Sequence, residues 1–455
     1  MLTYTLERGG GLPLYELLYR SIREDILSGN LKNGEKLPSK RRLAEHLGVS
    51  IMTVETAFAQ LSLEGYIRSE QRRGYFVCAD FSFPAPRAAV KTLAAEVSQK
   101  EWLADFKTNA ILPRQFPFSV WAKLMRRVLA ERSPALLAPM PGQGLPELRE
   151  AIAGFLSRFR GMQVSAEQIV VAAGAELLYG LLVQLLGRDK LIAVEDPGYP
   201  RAAKVYRNNG AETVPIPLDA GGLSVRELAA AEAQVAHISP AHHFPTGLVM
   251  PAARRAELLN WAGADENRFL IEDDYDSEFR FSGRPIPTLQ SADRLGRVIY
   301  LNTFTKTLSP ALRIGYLVLP ETLLDAFSRR LGFYSCTVPS FEQLTLAKFI
   351  NEGYFESHLA RTRNFYRRQR DKMIESIRES ALGAHCRILE ADAGLHFVLE
   401  TDASNPDLEL TAQAQTLGIN ISCLSEYYTD RLKARPGCLL LNYSHYKQRA
   451  GREEE

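Results

Sequence analysis

One lysine, Lys306, stands at the end of an apolar run in "YLNTFTKTLSPALRIGYLVLP", residues 300–320. Thr303, Thr305, Thr307 and Ser309 surround it with hydroxyls, and the guanidinium of Arg313 follows. A lysine at a strand end ordinarily snorkels to water. An ammonium partly withdrawn from water, with another cation nearby, instead gives up its proton readily, and the neutral amine attacks carbonyls. The hydroxyls of Thr303 and Thr305, together with Arg313, make a donor set for a dianionic phosphate beside that amine.

Other polar groups end other apolar runs. In "FLIEDDYDSEF" a buried run leads straight into Glu272, Asp273 and Asp274, and a carboxylate left unpaired there is costly. Asp273 and Tyr275 are two apart, so in extended chain they face one side, an anion and a phenol suited to a ring nitrogen and a ring hydroxyl. A metal site is the competing use of the acids, but no histidine stands beside them at ligand spacing. In "VVAAGAELLYG", Gly174 permits a tight turn and the amides after it open a helix, an anion site. In "VEDPGYPR", Tyr199 follows a Pro-Gly turn, where it lies over a planar ligand or simply packs. Lysine, acid, phosphate donors and stacking face together are what pyridoxal 5'-phosphate (PLP) requires.

These residues need a frame that brings strand ends together. From about residue 106, short buried runs alternate with helical patterns: "QIVVAAG", "KLIAVED", "VAHISP", "RFLIEDD", "RVIYLNT" and "RIGYLVLP". Continuous apolar strands between amphipathic helices predict an α/β domain with a mostly parallel sheet covered on both faces, over 106–455. Ligands collect beyond the carboxyl ends of such strands. Residues 79–105, with two prolines and no sustained apolar stripe, read as an extended linker with a helical second half.

Residues 1–78 form a smaller unit. Leu14, Leu17, Leu18, Ile22 and Ile26 have helical spacing and end at Gly29. Ser39 caps a short helix, "KRRLAEHLG", and Ser50 caps a second, "IMTVETAFAQLSLEG", with Val54, Ala57, Phe58 and Leu61 inward. Two short helices joined at "GVS" have helix-turn-helix dimensions. "YIRSEQRRGYFV" supplies a hairpin turning at Arg73-Gly74. Lys36, Lys40, Arg41 and Arg42 cluster at the first short helix, and Arg68, Arg72 and Arg73 on the hairpin, placed for phosphates.

The chain of 455 residues carries a net charge of +2, which does not of itself imply nucleic acid or membrane. No apolar run has the length of a membrane span, and the start lacks a signal-peptide layout. Five dispersed cysteines without CxxC spacing argue against disulfides or zinc and for a reducing cytoplasm.

"KLPSKRRLAEHLGVSIMTV", "LEGYI" and "RRGYFV" resemble the winged helix-turn-helix of GntR-type bacterial transcription regulators. The resemblance implies DNA contacts from Ser39, Arg41, Arg42, Ser50, Thr53 and the wing tip Arg72-Arg73-Gly74. It departs at Ile51 and Glu55, where arginine is usual, and at Arg72, where the wing often has glycine. Glu55 would repel phosphates and accept from a cytosine amine.

"TFTKTLSPALRIGY", "EDDYDSEF" and "HHFPTG" resemble the fold type I, aspartate-aminotransferase-like PLP enzymes. Carried over by position, Lys306 forms the Schiff base, Asp273 pairs with the pyridinium and Tyr275 bonds the ring hydroxyl. Tyr199 stacks on the ring, while Thr303, Thr305, Arg313, Gly174 and Ala175 hold the phosphate. A GntR-type domain joined to this one is the layout of the MocR-type, GabR-like regulators. Phe244 replaces the aminotransferase asparagine, and "CLLLNYSH" puts Leu440 where a carboxylate-gripping arginine is usual. A terminal helix, expected by the resemblance, has no counterpart in "KQRAGREEE".

The resemblance implies a PLP-dependent, cytoplasmic, homodimeric regulator that binds paired DNA half-sites. Leu440 points to PLP itself, or an amine lacking an α-carboxylate, as the small-molecule signal. The alternative is a working aminotransferase with a vestigial first domain.

Overall fold

The computed structural model describes residues 2–4, 6, 12–78, 102–108, 111–132, 135–283, 286–402 and 406–444. The linker stretch 79–101 and the tail 445–455 lie outside them. The chain divides into two compact units, 1–99 and 100–455.

In the first unit α1 (Leu14–Leu27), α2 (Lys40–Leu47) and α3 (Ile51–Leu63) precede the antiparallel hairpin of β1 (Ile67–Glu70) and β2 (Gly74–Val77). Ser39 Oγ accepts from the Arg42 amide at 3.3 Å and Ser50 Oγ from the Thr53 amide at 3.1 Å, so both helices start where the caps predict. Gly48 ends α2 in the left-handed region, turning the chain into α3. Leu18, Ile22, Ile26, Val54, Ala57, Phe58 and Leu61 meet in one core with Ile67 and Val77 of the hairpin. Glu70 pairs with Gly74, so the wing turns over 71–73, one residue earlier than the sequence suggests. Arg72 takes the left-handed conformation, φ +63°, at the position where glycine is expected.

The second unit begins with β3 (Ala104–Asp105), then α4 (Phe118–Arg132) and α5 (Pro146–Arg160). Its main sheet contains β4 (Ile169–Ala172), β5 (Ile192–Asp196), β6 (Thr213–Asp219), β7 (Gly222–Leu223), β8 (Val235–Ile238), β9 (Phe269–Asp273), β10 (Val298–Thr303) and β11 (Gly315–Val318). The order is β4-β11-β10-β9-β8-β5-β6-β7. β10, β9, β8, β5 and β6 run parallel, while β11 is antiparallel to both its neighbours, β10 and β4.

Side-chain alternation explains why these strands read as continuously apolar. Ile169 and Val171 join the core beneath α5, while Val170 and Ala172 join the core against α6 (Ala175–Leu186) and α7 (Pro200–Asn208). A second sheet, which no pattern above anticipated, is antiparallel: β12 (Cys386–Leu389), β13 (His396–Thr401), β15 (Ser422–Cys423) and β16 (Cys438–Asn442), in the order β12-β13-β16-β15. The two-residue β14 (Ile419–Asn420) pairs with β3. Among the described residues no helix is long and apolar enough to cross a membrane.

Candidate functional site

β4, β5, β8, β9 and β10 share one carboxyl edge, and beyond it lie Gly174, Tyr199, Tyr275 and Lys306, all singled out for chemistry, and after β8 His242, which was not. A parallel sheet thus collects at one rim side chains that are far apart in sequence.

Lys306 lies in the turn after β10, partly buried. Burial pushes its ammonium down to about 8, and the Asp276 carboxylate opposes that shift. Thr303 ends β10, buried, and its hydroxyl accepts weakly from the Thr305 amide at 3.4 Å.

Each acid of the 272–274 cluster has a separate answer to the cost of burial. Glu272 accepts from the amides of Leu289 (2.8 Å) and Gln290 (2.9 Å). Desolvation, aided by Asp274, raises its carboxyl to about 7. Asp273 Oδ2 accepts from the Tyr179 hydroxyl at 2.5 Å and lies 3.2 Å from His237 Nε2. His237 Nδ1 in turn meets Tyr206 at 2.8 Å. Both contacts fall on Oδ2, and among the described residues no hydrogen bond engages Oδ1. Asp274 Oδ2 is bound by Arg160 (2.5 Å) and the Tyr300 hydroxyl (2.7 Å), a buried ion pair beneath the rim.

Tyr275 does not share a strand face with Asp273. β9 ends at Asp273 and the chain bends, because Asp274 turns inward to Arg160. The Tyr275 hydroxyl instead sits 3.1 Å from His242 Nδ1, which lies 3.0 Å and 3.1 Å from the two oxygens of Asp276. The His242 and His396 rings are tilted against each other, centroids 4.6 Å apart at 45°.

Donor atoms of His242, Asp276 and His396 lie within 4.8 Å of one another, close enough to hold a divalent cation. Hydrogen bonds engage two of these nitrogens: His242 Nδ1 as above, and His396 Nε2, which meets the Pro245 carbonyl at 3.2 Å; His242 Nε2 is buried without a hydrogen-bond partner among the described residues. His242 lay inside the "HHFPTG" motif but carried no assigned role in the sequence; only the fold delivers Asp276 to it.

Gly174, Ala175 and Arg313 meet at the start of α6. Gly174, φ +87°, precedes the helix, and a Cβ there would lie 2.7 Å from Arg313 Nη2. The backbone, φ +87° and ψ 171°, is what calls for glycine, and the Arg313 guanidinium lies over the bare Cα. Ala175 is the first helical residue. Glu176 follows, and sequence reasoning missed its part: its carboxylate takes Arg313 at 2.6 Å and Arg201 at 3.0 Å. Tyr199 stands at the start of α7, 42% exposed, edge-on to Phe244 at 5.8 Å. Leu440 is buried in β16 opposite Val398 and Ser422, in an apolar cluster with Leu424, Phe244 and Tyr427.

The donor set fits PLP. A glycine in a conformation other residues avoid sits under a guanidinium at a helix N-terminus, an acid has one oxygen that no described residue engages, and an amine with a lowered pKa stands at the same rim.

In the first unit Arg41 and Arg42 are exposed in the first turn of α2. Ser39 and Ser50 serve as caps, and the Ser50 and Thr53 hydroxyls meet at 2.8 Å. Arg72 is exposed at the wing tip, Arg73 bonds Glu70 at 2.6 Å, and Gly74 opens β2 with φ +109°.

Residues 14–77 match the family of bacterial regulatory proteins, gntR family, and residues 104–449 match aminotransferase class I and II. The chain is 38% identical over 430 residues to the HTH-type transcriptional regulator YdeL of Bacillus subtilis, covering 94% of this chain and 92% of that protein. It is 33% identical to the probable rhizopine catabolism regulatory protein MocR of Rhizobium meliloti, covering 93% and 89%. It is 32% identical to the pyridoxine biosynthesis transcriptional regulator PdxR of Corynebacterium glutamicum, covering 90% and 88%. Among solved structures, a kynurenine aminotransferase of Pyrococcus horikoshii superposes with a TM-score of 0.67 at 24% identity, over 76% of this chain and 87% of that one. At that identity the likeness speaks for the fold alone. A winged helix with capped α2 and α3, an aminotransferase sheet with its polar rim and near full-length relatives agree: the chain belongs to the MocR-type branch of the GntR-family transcriptional regulators.

Proposed function

We propose that this regulator holds PLP at Lys306 and that occupancy of the site biases how the chain binds its operator. The observation that carries the reading is the convergence at one strand edge of a lysine with a depressed pKa, Asp273 with one open oxygen, and the Gly174–Arg313 cradle. When bound, PLP supplies an aldehyde that condenses with amines and a ring that draws off charge.

The protein's own groups have distinct tasks. Lys306, pushed to about 8, presents a useful fraction of neutral amine near pH 7. Tyr179 and His237 hold Asp273 in place for the ring nitrogen. Arg313 and the first amides of α6 neutralise the phosphate. Tyr275, backed by His242, faces the ring hydroxyl, and Tyr199 covers the ring.

The signal is PLP itself or an amine lacking an α-carboxylate. Leu440 sits among Val398, Leu424, Phe244 and Tyr427, and its own side chain brings no guanidinium to grip a carboxylate there. Such a ligand switches the protein only by binding two arrangements unequally. The regulator acts in the cytoplasm as a homodimer on paired half-sites, whose linked winged helices raise each other's effective concentration on DNA.

Borohydride reduction of PLP-saturated protein followed by peptide mass spectrometry tests the first part. The adduct is expected on Lys306, and Lys306→Ala abolishes it. Titration of PLP against operator affinity tests the second: a change in affinity is expected, and an unchanged affinity would overturn the sensing role.

A further inference from the structure

The exposed face of α3 has an unusual chemistry for a helix that enters DNA. Val54, Ala57, Phe58 and Leu61 are buried in the core. Ile51 and Met52, in the first turn, are 46% and 68% exposed, and Glu55 and Thr56 are exposed one turn later. Large aliphatic side chains held in water at a functional surface point to an apolar contact in the bound state. In a helix-turn-helix, the N-terminal residues of the second helix are those that reach base edges.

The small polar groups of this turn are occupied by the helix itself. Ser50 Oγ accepts from the Thr53 amide, its hydroxyl meets that of Thr53 at 2.8 Å, and the Thr56 hydroxyl donates to the Met52 carbonyl at 2.9 Å. What remains for recognition is two aliphatic side chains and a carboxylate on one stripe, three and four residues apart. Glu55 is ion-paired with Lys40 of α2, whose ammonium also lies 5.9 Å from the Tyr75 ring of the wing. That pairing screens the carboxylate from DNA phosphates, which would otherwise repel it.

We infer that α3 reads thymine and cytosine: Ile51 and Met52 pack on thymine C5-methyl groups, and Glu55 accepts a hydrogen bond from a cytosine N4 amine. In the major groove only thymine offers a methyl, and only cytosine and adenine offer an amine. Adenine's amine stands beside the N7 acceptor, which repels a carboxylate, so Glu55 selects cytosine. One helical turn advances about 5.4 Å and one base about 3.4 Å, which sets the thymine and cytosine one or two base pairs apart in each half-site.

The inference rests on the DNA-binding assignment, and the test separates the two. Full-length protein selects sites from a randomised duplex library, and the enriched site is then remade with uracil replacing single thymines, which removes only the methyl. Wild type is expected to lose about fourfold in affinity at a read position, the worth of one buried methyl. The double variant Ile51→Ala/Met52→Ala is expected to be indifferent to the same replacement. Glu55→Gln is expected to lose about tenfold of its discrimination for cytosine, the scale of one mismatch. These residues are exposed, so the fold survives their change, as circular dichroism of each variant checks. A selected half-site without thymine and cytosine in that spacing overturns the inference while DNA binding stands. So does equal sensitivity of wild type and double variant to uracil. Absence of any salt-dependent DNA binding overturns both.

Discussion

His242 Nδ1 lies 3.1 Å from the Tyr275 hydroxyl and 3.0 Å from Asp276 Oδ2, so one imidazole nitrogen joins the phenol to a buried carboxylate. A carboxylate accepts only, so Nδ1 carries the hydrogen and Asp276 receives it. The Tyr275 oxygen then faces an N–H, and its own hydrogen is turned away from His242. Tyr275 is thereby kept as a donor toward whatever lies on its open side.

Asp276 also faces Lys306 and holds its ammonium up against the effect of burial. Asp276→Asn removes that anion, so the lysine pKa falls further below about 8. Competitive acylation of the cofactor-free protein across pH reads this directly. The labelling midpoint of Lys306 should move to lower pH in the variant; an unmoved or raised midpoint would count against the contact.

Glu176 places a carboxylate on both Arg313 and Arg201, where a phosphate would otherwise be the counterion. Glu176→Gln should therefore tighten PLP binding. The groups are partly exposed, so solvent screening limits the gain to about fivefold. Calorimetric titration of the apo variant with PLP checks it, and weaker binding would show that Glu176 positions the arginines instead of competing for them.

Glu272 is buried and its carboxyl is raised to about 7. A group with a raised folded-state pKa binds more protons folded than unfolded. It therefore costs stability as pH climbs from the unfolded value near 4.5 through 7. Glu272→Gln removes this titration. Whatever constant offset the lost hydrogen bonding imposes, the variant should gain on wild type as pH rises from about 4.5 to 8. Urea midpoints measured across that range test it, and a pH-independent difference would remove Glu272 as the titrating group.

Arg41 is exposed in the first turn of α2, and we propose that it contacts a phosphate and reads no base. Arg41→Ala should weaken all duplexes alike, lower the slope of log affinity against log salt by about one, and leave the selected consensus unchanged. A changed consensus would move Arg41 into the base-reading set.

Much of the architecture was legible because its signals are local. Ser39 and Ser50 announce helix starts through bonds to amides three residues on, and the apolar strand runs follow from a sheet covered on both faces. Polar residues just past those runs, Gly174, Tyr199, Asp273 and Lys306, fall at one rim because parallel strands must end together. The antiparallel β12-β13-β16-β15 sheet escaped notice because its strands do not alternate regularly with helices as those of the main sheet do, and β15 has only two residues.

What the linear chain withheld was pairing at a distance. Arg160 on Asp274, Tyr179 on Asp273, Glu176 on Arg313 and Asp276 on His242 join residues 114, 94, 137 and 34 positions apart. Crossover helices between parallel strands carry the chain away and back, so a strand end meets neighbours that no short window contains. Residue types and their order were enough to propose the amine, the acid and the phosphate cradle. Which oxygen of Asp273 stays open, which way Tyr275 points its proton and what already occupies Arg313 depend on those distant partners, and packing alone chooses them.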